Sequence, residues 1–112
     1  MPRLIAANAG GLPLCAVLCN GKSCRGDARE QLSAELRAAG VPVVSSRCLK
    51  VCHGPVAVVP VGGRWRVIER IRGRKTRARV LGALRRQRTG RIRRQLVRGG
   101  DRRVAIRRAP LP

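Results

Sequence analysis

The chain has 112 residues, with 26 Lys and Arg against 5 Asp and Glu, a formal net charge of +21. That is at most one domain's worth of polypeptide, and it attracts anions strongly. A hydrophobic fraction of 44% excludes uniform disorder. A single aromatic residue, Trp65, excludes a protein that stacks bases on aromatic rings, and no apolar run approaches the roughly 20 residues of a membrane span.

In chain order, residues 1–11 read as a flexible leader. Arg3 precedes Leu4-Ile5-Ala6-Ala7, but Asn8, Gly10, Gly11 and Pro13 break any apolar segment, and Leu14 stands where a lipoprotein site needs a small residue. No export signal is read there. A cytoplasmic, reducing setting follows, where clustered cysteines serve more often as metal ligands or redox groups than as structural disulfides. Residues 12–18 are an apolar run ending at Cys19-Asn20-Gly21, as a buried strand entering a loop does. Asp27 and Glu30 have capping-box spacing. Ala28, Leu32, Leu36 and Ala39 recur at helical intervals, and Gly40 sits where a helix ends.

Val41-Pro42-Val43-Val44 is a second short strand, its proline marking a start or an edge. Residues 45–54 form a loop and 56–59 a third strand. Gly62-Gly63 is a turn signal from which 64–68 returns as a hairpin. Thr76 is a cap for a second helix that puts Val80, Leu81 and Leu84 on one face. The predicted order, β-α-β-β-β-α, is a small α/β sandwich over residues 12–87. Charge is distributed unevenly: residues 1–63 hold 7 Lys/Arg and 3 acids, residues 64–112 hold 19 and 2. Residues 88–112 form an Arg-rich tail. Ile92, Leu96 and Val97 stand among like charges with little apolar surface to bury, which predicts disorder.

Five cysteines lie in the first half. Cys19-x4-Cys24 and Cys48-x3-Cys52 are close pairs on two loops, suited to a centre that needs four thiolates. Cys15 is four extended residues from Cys19, about 13 Å, too far to share that centre, and reads as a small core residue. Spacing alone leaves an iron–sulfur centre and a structural zinc site equally open. The Cys-x-x-Cys motif of dithiol redox sites is missing. His53 is the one His in the chain, so the two His ligands of a Rieske centre are not available; it reads as a hydrogen-bonder beside the ligands or an exposed loop residue.

The stretch Cys19-Asn20-Gly21-Lys22-Ser23-Cys24-Arg25-Gly26-Asp27-Ala28, followed by a helix, resembles the first half of the thioredoxin-like 2Fe-2S ferredoxins. Cys48-Leu49-Lys50-Val51-Cys52-His53-Gly54-Pro55, followed by a hairpin with Trp65, resembles the second half. The small ferredoxin-like subunit on the flavoprotein side of respiratory complex I is similar in plan. The resemblance covers residues 12–87. It implies a thioredoxin-like fold, one 2Fe-2S cluster on Cys19, Cys24, Cys48 and Cys52, and one-electron transfer between redox proteins without catalysis. It also implies a homodimer as one assembly state. Pro60-Val61-Gly62-Gly63 departs from the aromatic and acidic hairpin turn of the family, and Arg66 stands where an aromatic follows the Trp. Gly54-Pro55 resembles the cis-proline turn of thioredoxin folds, although trans is the base rate.

Around such a centre, Gly21, Gly26 and Gly54 would let backbone N–H groups approach the sulfurs. With Lys22, Arg25, Arg47 and Lys50 they would favour the reduced state. Trp65 reads as core, since no other aromatic is present to fill it. So small a body is marginal without its metal. The basic extension suits an acidic redox partner by electrostatic steering, nucleic acid by phosphate contact, an anionic membrane face, or no dedicated partner. The alternative to a ferredoxin is a basic module stabilised by zinc on the same four cysteines, binding nucleic acid.

Overall fold

A computed structural model describes residues 8–9, 11–22, 24–51 and 53–112, with backbone alone for 8 and 9. The expected leader 1–11 lies largely outside these residues. A two-residue ladder pairs β1 (Asn8–Ala9) with β2 (Leu12–Pro13) around Gly11, whose φ of 92° suits glycine. The apolar run at 12–18 is therefore split, and the main sheet starts with β3 (Ala16–Cys19).

Helix α1 (Asp27–Ala38) follows. Its N-cap is Gly26 and no side chain caps it, so Asp27 is the first helical residue and the expected capping box does not form. Its end is a Schellman motif, as Gly40 suggested. Gly40, at φ 87°, donates its N–H to Arg37 O, and Val41 donates to Leu36 O. Strand β4 (Val43–Ser46) runs parallel to β3. Strands β5 (Ala57–Val61) and β6 (Arg64–Ile68) form an antiparallel hairpin about Gly62-Gly63, both left-handed at φ 66° and 78°, which matches a two-residue type I′ connection. The Gly54-Pro55 bond before β5 is cis, not the trans base rate.

Helix α2 (Arg74–Arg86) starts at an N-cap Gly73, so Thr76 is inside its first turn and does not cap it. The four-stranded sheet has the order β4-β3-β5-β6 and is mixed. Pro60 is tolerated in β5 because β3 pairs only with Ala57 and Val58.

Strand alternation makes two apolar layers. Ala16, Leu18, Ala57, Val59, Val61 and Ile68 face α1 and α2, against Leu32, Leu36, Val80 and Leu84. Val17, Cys19, Val58 and Val67 face the opposite way. An ion pair between Arg77 and Glu35 (2.9 Å) ties the two helices together.

What covers the second face overturns the expectation of a disordered tail. Residues Gly90–Gln95 form a 3-10 helix and Gly99–Arg108 a third α-helix, α3. Ile92 is buried in the first layer; Val97 and Ala105 are buried in the second, with Ile106, Ala109 and Leu111 packed partly buried against it. Between the helices the chain docks on the free edge of β6. Glu69 donates its N–H to Gln95 O and Val97 donates to Val67 O, both at 2.8 Å. Most of the arginines are exposed while sparse apolar residues cover a sheet face that water would otherwise meet, and the end of the β6 edge at Val67–Glu69 is paired. Trp65 is half-buried at the rim of this layer and does not fill the centre.

Candidate metal centre

Strand register brings the cysteine loops together. Cys19 closes β3 and pairs with Ser46, the last residue of β4. Its neighbour Leu18 pairs with Ala57, the first residue of β5. The loops 20–26 and 47–56 therefore leave from one end of the sheet. Cys19 and Cys24 are each 1% exposed, and Cys48 is partly exposed. The thiols of Cys24 and Cys48 are both hydrogen-bond partners of Cys19. Cys52 lies outside the described residues, so the fourth expected ligand is carried by sequence alone. Among the described residues no set of three or more His, Cys, Asp and Glu groups closes as a metal-holding group.

Cys19 is the hub. Its thiol is pulled down from the ordinary 9.0 to about 5, first by the hydrogen bond from Cys24. Backbone N–H groups of Gly21 and Leu49 and the Cys48 thiol add to this, against the opposing effect of burial. The Gly21 N–H lies 3.4 Å from Cys19 Sγ, and the Lys50 N–H lies 3.4 Å from Cys48 Sγ. Lys50 reaches that geometry with φ 64°, left-handed backbone that side-chain-bearing residues adopt sparingly.

The glycines have separable roles. A Cβ on Gly21 would come within 3.0 Å of Cys48 Cβ and 3.1 Å of its Sγ, so the first loop touches the second because that side chain is missing. Gly26 turns the chain into α1 at φ 132°. Gly54 is buried and accepts Arg72 Nε at its carbonyl (3.0 Å). Lys22 and Lys50 are exposed. His53 is exposed too, and its carbonyl accepts the Arg70 N–H at 2.7 Å. Cys15 is buried in the second layer, and burial pushes its thiol up.

Two cations that the sequence did not single out hold the loops. Arg29 of α1 is only 7% exposed. Its Nε donates to Cys19 O (3.1 Å), and its other nitrogens donate to Ser45 Oγ (2.6 Å) and Glu30 Oε1 (2.9 Å). A signal was present, since Arg29 precedes Leu32 and Leu36 by three and seven residues and so shares their buried stripe. Arg108, near the end of α3, donates Nε to Cys48 O at 2.7 Å. No local pattern marks a contact sixty residues away.

No family model, curated protein or solved structure matches the chain. Its chemistry is therefore read from the site. Among the described residues no helix is long and apolar enough to cross a membrane. The arrangement supplies soft thiolate donors, one already inclined to ionise, with N–H groups directed at two sulfurs. Thiolates are the donors that iron–sulfur and zinc centres use.

Proposed function

We propose that this chain is a 2Fe-2S ferredoxin of thioredoxin-like fold, held by Cys19, Cys24, Cys48 and Cys52, and that it carries single electrons between redox proteins. The observation that supports this reading is the hydrogen bonding of the Cys24 and Cys48 thiols, on two loops distant in sequence, to Cys19. The sheet order β4-β3-β5-β6, with one parallel and two antiparallel pairs, is compatible with the fold that the motif resemblance implies.

A bound cluster would exchange one electron at a time. The residues of the chain set the conditions for that exchange. Gly21 and Lys50 N–H groups stabilise negative charge on sulfur. Burial of Cys19 and Cys24 keeps water away, while the exposed side chains of Lys22, Arg25, Arg47 and Lys50 favour the more negative reduced state. Arg29 and Arg108 fix the backbone at Cys19 and Cys48. The proposal is of a carrier, not a catalyst, in a reducing cytoplasm.

The deciding experiment is purification without air, followed by iron, sulfide and zinc analysis and a visible spectrum before and after dithionite. About two irons and two sulfides per chain, with colour that bleaches on reduction, are expected. Colourless protein with one zinc per chain would replace this reading with the zinc-stabilised one.

A further inference from the structure

The opposite end of the sheet has a separate chemistry. Ala57 of β5 pairs with Leu18, the neighbour of Cys19, and Val61 lies four residues on, about 13 Å away at the usual strand rise. There the Gly62-Gly63 turn meets the end of α2, where Gln87 accepts the Gly62 N–H (2.9 Å) and donates to Pro60 O (3.2 Å). The 3-10 helix and the start of α3 close around the same corner. Five arginines, Arg64, Arg66, Arg93, Arg98 and Arg102, line one cavity of about 350 Å³. Two are tethered: Arg66 Nε donates to Val61 O (3.1 Å) and Arg102 Nη2 to Trp65 O (2.9 Å). Arg93 also borders the next cavity, of about 540 Å³, with Arg79, Arg91 and Arg94. Arg79 and Arg91 continue into the grooves beside α2. The concavities thus share arginines and form one track.

Among the described residues no acid lines any of these cavities. The ion pairs among the described residues engage Arg29, Arg70 and Arg77, none of which belongs to the track. The guanidinium of Arg66 is held below its ordinary value by burial and by the charges of Arg64 and Arg102. Like charges gathered in a concavity with no counter-charge are stabilised by an anion from outside. Guanidinium groups suit phosphate through paired N–H donors.

We propose that this arginine track binds the phosphate backbone of nucleic acid, without regard to base sequence, at a surface separate from the thiol end. A row of linked cavities matches a repeating anion better than a single one. A protein exchanging electrons at the thiols would dock at the other end of the sheet, which disfavours an acidic redox partner as the occupant. The one aromatic, Trp65, is half-buried in the second layer, so contact is with phosphate and not through base stacking. The inference does not depend on which metal the cysteines hold.

Fluorescence anisotropy of the full chain with a short mixed-sequence DNA duplex, titrated across salt, tests it. Affinity is expected to fall steeply with salt. The triple variant Arg91→Gln/Arg93→Gln/Arg98→Gln should reduce the logarithmic salt slope by about 3 and weaken binding about tenfold or more. The triple Arg37→Gln/Arg74→Gln/Arg107→Gln removes equal charge at exposed positions off the track and should stay within about twofold of the parent. If the first triple fails to fold by circular dichroism, Arg98→Gln alone should lower the slope by about 1. Equal weakening by both triples would reduce the effect to diffuse charge and overturn the proposal. So would absence of duplex binding at low salt, or displacement of the duplex by polyglutamate at equal charge concentration, which would point to an acidic protein instead.

Discussion

The two ends of the sheet handle charge in opposite ways. At the thiol end, two arginines are held by bonds to the loops: Arg29 donates to Cys19 O, Ser45 and Glu30, and Arg108 is anchored on Cys48 O, while Lys22, Arg25, Arg47 and Lys50 stay exposed. Negative character there gathers on buried sulfur. At the hairpin end, arginines crowd a cleft without any carboxylate. A cation that completes a buried backbone network organises structure, whereas a group of cations gathered in a cleft without an acidic partner is left to meet an external anion. Net charge alone does not separate the two, but the location of hydrogen-bond partners does.

The most severe way to test the thiol end is to remove its sulfurs. Cys19→Ser and Cys48→Ser should each abolish stable metal content, measured as iron, sulfide and zinc per chain, while leaving duplex binding in place. Stripping the metal from the parent should lower its thermal midpoint, because metal binding and folding are linked; equal midpoints with and without metal would separate the site from stability. Arg29→Ala removes three hydrogen bonds around a buried carbonyl and should cost about 2–3 kcal/mol in denaturant unfolding. Gly21→Ala puts a methyl against Cys48 and should cost about 1–3 kcal/mol, with lower cofactor occupancy.

A smaller effect tests whether the tail and the thiol loop are coupled. Arg108→Ala should cost about 1–2 kcal/mol, whereas the exposed Arg107→Ala should be close to neutral. Equal effects would mean that the contact with Cys48 O contributes nothing. Smallest is electrostatic tuning: Arg47→Gln/Lys50→Gln should lower the midpoint potential measured by voltammetry, and an unchanged or raised value would count against the role given to these cations.

Much of the first layer was legible in advance. The stripe of Leu32 and Leu36, the ending at Gly40 and the Gly62-Gly63 turn are local signals, set by helical periodicity and by the backbone freedom of glycine. The cap assignments at Asp27 and Thr76 failed because a glycine takes the cap position in each case, Gly26 one residue before Asp27 and Gly73 three residues before Thr76. Residues 88–112 were misread because their apolar content is judged small in isolation. Val97 and Ala105 become useful only once β3, β5 and β6 present a second face to cover.

From the linear chain alone come the helices and strands of the first layer, the two cysteine pairs and the excess of arginine, since each depends on spacing and composition within a few residues. Which thiols meet, which arginines are consumed and which are left facing a cavity depend on parallel and antiparallel register and on the docking of α3. Those are contacts between residues tens of positions apart, whose free energy appears only when the layers pack.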